Sequence, residues 1–191
     1  MKLFPFIGTI LVLMLPSFVQ EKMLADVNVS EQMTLAGQPL ILNGSGVRNK
    51  FFMDLYVGSL YLPTQVQTLD EVLEQPIAVI QLTITSGMIT SARMRDGITK
   101  GFDAATDNDT HAIAKDIEQF TQQFADEIVD GDQFTFVTQK GKGVSSLKNG
   151  QAQGDIAGEA FRQALLKIWL GQKPAQPSLQ QAMLLGNDNK R

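Results

Sequence analysis

The run of residues 51–62, FFMDLYVGSLYL, limits the possible folds more than any other segment of this chain. Apolar side chains occupy both of the faces that alternate along an extended backbone. A strand of this kind lies inside a sheet that is covered on both sides. Pro63 ends the run, because proline has no amide hydrogen to donate to a neighbouring strand. We therefore predict a central strand over residues 51–62.

Further strand signals lie on both sides of a block of helical signals. A turn at Ala36-Gly37-Gln38-Pro39 separates MTL from LIL and predicts a hairpin, and Asn43-Gly44-Ser45-Gly46 predicts a loop or a bulge. Blocks of strand separated by blocks of helix favour an α+β fold, with helices packed on an antiparallel sheet. The other predicted elements are strands 77–85, 134–138 and 141–147, a turn at 148–151, and helices 69–75, 90–105 (starting at Ser86 or Thr90), 110–128, 157–170 and 178–186.

Composition excludes several classes of protein. The formal net charge of −4 and the absence of a dense basic cluster argue against a nucleic-acid binder. The chain has no cysteine and one histidine, His111, so thiolate zinc sites, cysteine nucleophiles and multi-histidine metal sites are excluded. Asp107, Asp109 and Glu118 match positions 1, 3 and 12 of a calcium loop, but Ala112 replaces its glycine, which favours helix capping. We predict no metal and no cofactor.

The N-terminus resembles an export signal. Lys2 precedes an apolar run over residues 4–15, which is too short to span a bilayer as a helix, and Pro16 breaks it. We predict a signal peptide over residues 1–25, cleaved between residues 20 and 26, and a periplasmic mature protein without a stable membrane span. An uncleaved membrane anchor is the alternative. The domain is predicted over residues 26–187, followed by a tail at 188–191.

Arg48 is the strongest candidate for a functional residue. It follows a glycine-rich segment and lies at the start of the apolar run. A permanently charged guanidinium beside an apolar strand needs either solvent or an anionic partner. That partner is either a ligand carboxylate or a neighbouring acid such as Asp54, and the pattern does not decide between them.

The segment Gly46-Val47-Arg48, with the run FFMDLYVGSLYLP that follows it, resembles the chalcone isomerase-like superfamily and its bacterial exported branch. The similarity extends to Ile168-Trp169-Leu170-Gly171 and to the closing Leu184-Leu185-Gly186. The resemblance implies an open-faced β-sandwich, in which a large antiparallel sheet is covered by a helical layer with a ligand cleft between them.

The catalytic residues of the family are largely missing. Plant chalcone isomerases use an arginine, a strand threonine, a helix tyrosine and asparagine, and a late serine or threonine. Arg48 matches the arginine, but the other positions fall at Tyr56, near Thr90 and Gly97, and at about Ile168. Residues 86–102 contain neither a tyrosine nor an asparagine, so a small shift of the alignment does not restore them. Cyclisation needs donors that stabilise the developing enolate, so we predict no confident catalytic residue.

The resemblance favours a non-catalytic protein that binds a small amphipathic carboxylate, such as a fatty acid, in the cleft. Two alternatives stay open. One is an isomerase or intramolecular lyase with a rearranged site, and the other is an interaction protein whose cleft is filled by its own side chains. The predicted ligand-binding residues are Arg48, Tyr56, Met88, Thr90 and Trp169.

Overall fold

A computed structural model describes residues 21–35 and 37–184 of the chain. Most of the predicted signal peptide, the end of the last predicted helix at Gly186 and the tail at 188–191 lie outside these ranges. The domain boundaries and the cleavage site stay predictions. The elements are β1 (Glu21–Leu24), β2 (Val27–Ser30), β3 (Gln32–Leu35), β4 (Gln38–Lys50), β5 (Met53–Leu62), α1 (Leu69–Glu74), β6 (Ile77–Ile84), α2 (Ser91–Ala105), a 3₁₀ turn (His111–Ile113), α3 (Ala114–Gln122), β7 (Gln133–Gln139), β8 (Gly143–Lys148), β9 (Gln151–Ala157), α4 (Glu159–Leu170) and α5 (Pro177–Leu184).

Strands β3 to β9 form one antiparallel sheet in which every strand pairs with its neighbour in sequence. Strands β1 and β2 form a separate two-stranded sheet. The α+β prediction is confirmed. Among the described residues, no helix is long and apolar enough to cross a bilayer.

The two faces of the sheet carry cores of different size. Ala78, Ile80 and Leu82 of β6 join the large core beneath the helices, whereas Ile77 and Val79 join a small cluster on the opposite face. This division follows from the period of two residues along a strand. The sheet is therefore covered on both sides at β5 and β6, as the apolar run predicted.

The glycine-rich segment lies inside β4 and is a bulge, not a loop. The register between β4 and β5 shifts between Leu42 and Gly44. Buried Asn43 donates from Nδ2 to the carbonyl of Met183 at 2.7 Å and accepts from the amide of Val66 at 2.8 Å. A Cβ atom at Gly44 would lie 2.1 Å from the carbonyl oxygen of Ala182, so glycine is needed for α5 to pack on this strand.

Two predicted elements differ from the structure. Phe51 and Phe52 form the turn before β5, so the strand begins at Met53. The predicted helix 110–128 is a 3₁₀ turn followed by α3, which ends at Gln122. Beyond it, amides bond to carbonyls three residues earlier and the chain leaves the helix, although Phe124 and Ile128 stay buried.

Two glycines on α2 are expected to respond oppositely to substitution. A Cβ atom at Gly97 would meet no atom of the described residues within 4 Å, whereas one at Gly101 would lie 2.8 Å from Cγ2 of Ile168. We expect Gly97→Ala to raise the free energy of unfolding by about 0.5–1 kcal/mol through helix propensity. We expect Gly101→Ala to lower it by about 1–2 kcal/mol through overpacking. Urea denaturation of both variants measures this, and a shared sign would contradict it.

Candidate functional site

Arg48 and Tyr56 lie directly opposite each other on β4 and β5. Paired residues of an antiparallel ladder project from the same face of the sheet, with Cβ atoms about 5 Å apart. Tyr56 is 7% exposed and belongs to the large core, whereas Arg48 is only partly buried. The pair therefore places a permanent cation and a buried phenol side by side, at the edge of the core.

Trp169 connects α4 to this pair. Its indole Nε1 donates to the Tyr56 hydroxyl oxygen at 3.0 Å, and its ring stacks on Phe136 at 5.8 Å between centroids. Burial raises the pKa of Tyr56 above its ordinary value, against the opposing effects of the Arg48 charge and the Trp169 hydrogen bond. The phenol is thus neutral at neutral pH. Its hydroxyl hydrogen has no acceptor among the described residues, so the group retains one donor for a ligand.

Most N–H donors of the Arg48 guanidinium have no acceptor within the described part of the chain. One nitrogen, Nη1, donates to the carbonyl oxygen of Ala175. Arg48 forms no ion pair with a carboxylate of residues 21–35 and 37–184. Asp54, the acid that the sequence offered as its partner, is exposed and accepts from Asn49 Nδ2 at 3.3 Å.

A cavity of about 620 Å³ opens beside the Arg48 and Tyr56 pair. It lies between the sheet and helices α2 and α4, and it has the size of a small-molecule site. The uncharged side chains of its wall are mainly aliphatic, aromatic or thioether groups, which suit an apolar ligand. Those lining the interior include Leu55, Tyr56, Leu82, Met88, Ile89, Met94, Ile98, Ile168 and Trp169.

The charged residues that line the cavity are mostly cations, five against the single carboxylate of Asp96. Lys100 pairs with Asp96 at 2.8 Å, and Lys173 pairs with Asp107 at 2.6 Å. All four of these side chains are mostly exposed, so these pairs contribute little to stability. The cations are Arg48, Lys50, Arg93, Lys100 and Lys173.

Four of the five predicted binding residues line this cavity: Arg48, Tyr56, Met88 and Trp169. Thr90 does not. It is the N-cap of α2, where its hydroxyl oxygen accepts from the amide of Arg93 at 3.3 Å. It therefore supports the helix that forms one wall of the cavity. No ligand contact tests these residues, and their binding roles stay predictions.

Sequence analysis missed the contribution of α2 beyond its N-terminus. Arg93, Gly97, Lys100 and Ala104 line the cavity. Their spacings of four, three and four residues place them on one helical face. That spacing is a signal that the sequence alone provides.

The positions that correspond to the family's catalytic residues supply few donors. Gly97 and Ile168 line the cavity without any polar side-chain atom, and Thr90 is used as a helix cap. Arg48 and Tyr56 are therefore the polar groups at these positions that face the cavity. Among the described residues, no group of three or more histidine or acidic side chains is arranged to hold a metal ion.

Comparisons with known proteins agree with this architecture. The crystal structure of the Arabidopsis thaliana fatty-acid binding protein AtFAP1 is similar to this chain, with a TM-score of 0.63 and 14% sequence identity. The match covers 86% of this chain and 96% of that one, and at this identity it supports the fold alone. No significant match was found among curated protein sequences. A family profile described as chalcone isomerase-like matches residues 21–185, and the chain therefore belongs to the chalcone isomerase-like family.

Proposed function

We propose that this protein binds a small amphipathic anion in the cavity without transforming it. The head group, a carboxylate or a similar anion, contacts Arg48 and Tyr56. The apolar part lies between β5, β6 and helices α2 and α4. The observation that carries this proposal is a guanidinium with no ion pair among the described residues, placed beside a neutral phenol at an apolar cavity.

Three further observations support this function. The similar Arabidopsis structure is that of a fatty-acid binding protein. The cavity is open, and Arg48 does not pair with Asp54, so the arrangement that would favour a filled cleft is absent. The cavity also lacks the donors that an isomerase of this family uses at the positions of Gly97 and Ile168.

The test compares two ligands that differ in the head group alone. We expect the protein to bind dodecanoate roughly 10- to 100-fold more tightly than 1-dodecanol, because a charge-assisted hydrogen bond is worth about 1.5–3 kcal/mol. The variant Arg48→Gln should lose most of this preference while it still binds the alcohol. Isothermal titration calorimetry measures both affinities.

Arg95→Gln is the matched control, because Arg95 lies on α2 but is exposed and does not line the cavity. It should bind both ligands as the wild type does. Equal affinity of the wild type for acid and alcohol would refute the role of Arg48. Turnover of a chalcone that is lost in Arg48→Gln would overturn the non-catalytic assignment.

We also infer that the protein is exported to the periplasm, on the basis of the apolar run at residues 4–15. Mass spectrometry of the N-terminus of periplasmic protein tests this. A mature N-terminus between residues 20 and 26 is expected, and an intact Met1 in the membrane fraction would contradict it.

A further inference from the structure

The turn between β4 and β5 exposes three consecutive large apolar side chains. Phe51 is 75% exposed, Phe52 is fully exposed at 106%, and Met53 is 40% exposed. Exposed apolar residues that stand alone are common, but a contiguous group marks an interaction surface. These residues do not contribute to the core, so the folded chain alone gives no reason for them.

The backbone of this turn also disfavours phenylalanine. Phe51 and Phe52 have φ values of 51° and 67°, in the left-handed region that bulky residues avoid. The turn between β8 and β9 has the same shape, with φ values of 51° and 78°, but is formed by Asn149 and Gly150, the pair that such turns prefer. The β1–β2 turn has positive φ values too, at Ala25 and Asp26, so Phe51 and Phe52 are the bulkiest pair at such a turn among the described residues.

The exposed turn adjoins the cationic mouth of the cavity. Phe51 itself lines the cavity, together with Lys50, and the amino group of Lys50 lies 5.5 Å from the centre of the Phe51 ring. Arg93, Lys100 and Lys173 line the same cavity. This local excess of positive charge belongs to a chain whose formal net charge is −4. Aromatic side chains beside basic ones are complementary to an anionic lipid surface.

We propose that this turn docks the protein on the surface of an anionic phospholipid bilayer. Phe51 and Phe52 insert among the lipid head groups, and Lys50 and the other cations of the mouth contact lipid phosphates. The mouth of the cavity then faces the lipid, and an amphipathic anion passes between bilayer and cavity without crossing bulk water. This passage rests on the proposed function, whereas the docking itself does not.

Co-sedimentation with vesicles tests the docking. We expect the wild type to bind vesicles of phosphatidylcholine and phosphatidylglycerol at a ratio of 3:1 at least 10-fold more tightly than pure phosphatidylcholine, since each basic residue near an anionic surface contributes roughly fivefold. Raising the salt concentration should weaken this binding. Phe52→Gly should reduce the affinity for the anionic vesicles by roughly 10-fold or more, because the ring that the bilayer would bury is lost. Val129→Thr is the matched control, since Val129 is 49% exposed and does not line the cavity.

Failure of the docking and failure of the ligand proposal are distinguishable. Phe52 does not line the cavity, so Phe52→Gly should bind dodecanoate in vesicle-free solution as the wild type does. A wild type that binds dodecanoate but not anionic vesicles would overturn the docking alone. The docking proposal would also be overturned if Phe52→Gly bound the vesicles as tightly as the wild type. A dimer that dissociates in Phe52→Gly would overturn it as well, because the turn would then be an interface between two copies of the chain.

Discussion

Replacing Glu159 with alanine is expected to lower the free energy of unfolding by about 3–5 kcal/mol, because a buried cation loses its counter-charge. Arg162 is 0% exposed. Its Nη2 and Nε atoms donate to the two carboxylate oxygens of Glu159 at 2.6 and 2.8 Å. Nη2 also reaches the carbonyl of Leu73, whereas Nη1 has no partner among the described residues. Alanine at position 159 would leave this guanidinium with one backbone acceptor.

The measurement is urea denaturation at pH 7, with Glu159→Ala/Arg162→Met as the control. The double variant removes the stranded charge and replaces the guanidinium with an apolar group, so it should recover most of the lost stability. A loss below about 1 kcal/mol in Glu159→Ala would show that water reaches the guanidinium and compensates for the missing carboxylate.

Acid unfolding offers a second readout of the same pair. Hydrogen bonds from Arg162 lower the pKa of Glu159 from its ordinary value of 4.5 to about 2. A carboxylate with a depressed pKa stabilises the fold fully above its unfolded pKa and loses that contribution as the pH falls. The wild type should therefore lose stability between pH 4.5 and about 2. Glu159→Ala should lose less over this interval.

This ion pair bears on the candidate site through α4. Glu159 begins α4 and also accepts from the amide of Gly141 at 2.9 Å, which joins the helix to the turn between β7 and β8. Between two and three turns further along the same helix, Ile168 and Trp169 line the cavity. The packing of Ile168 against Gly101 of α2 sets how closely the two helices approach. The cavity thus depends on a helix that is held at its start by an ion pair between buried Arg162 and partly exposed Glu159.

Local patterns predicted the parts of the fold that depend on local spacing. The strand predicted over residues 77–85 is β6, and its alternation places Ile80 and Ile77 in opposite cores because the side-chain period of a strand is fixed by its geometry. The end of α3 was missed because Phe124 stays buried outside the helix. Apolar residues at helical spacing indicate which side chains are buried. A side chain can be buried without the backbone being helical.

The candidate site was predictable where the type and position of a single residue indicate its chemical role. Arg48 was identified because a cation beside an apolar strand needs an explanation. Tyr56 and Trp169 were predicted from the family resemblance. The hydrogen bond between them joins residues that are 113 positions apart in the sequence. Lys100 and Lys173 were missed because isolated lysines on a helix and a loop look like ordinary solvated residues. Only the tertiary packing brings them to one cavity.

Phe51 and Phe52 form a turn that does not have the residues by which such turns are recognised. Two-residue hairpin turns are recognised by asparagine and glycine, which tolerate positive φ. Two phenylalanines instead read as the beginning of a strand, so β5 was predicted to start two residues early. Natural sequences break local rules most often where function requires it. The error therefore coincides with the surface that we propose as the docking element.

Replacing this pair with asparagine and glycine should consequently make the isolated protein more stable. We expect Phe51→Asn/Phe52→Gly to raise the free energy of unfolding by about 1–3 kcal/mol, since a bulky residue in the left-handed region costs about 1–2 kcal/mol. Both rings are exposed and contribute little burial. Loss of the contact between Lys50 and the Phe51 ring offsets roughly 0.5–1 kcal/mol at an exposed site.

Thermal and urea unfolding measure the change, and Phe51→Ser/Phe52→Ser is the matched control. Serine removes the same apolar surface without the preference of glycine for positive φ, so its stabilisation should be smaller. A less stable asparagine–glycine variant would show that the rings pack within the free protein, which would remove a premise of the docking proposal. A variant that gains stability and loses vesicle binding would instead support the docking proposal. Two strained residues would then be retained for the surface that they contact, at the expense of the stability of the fold.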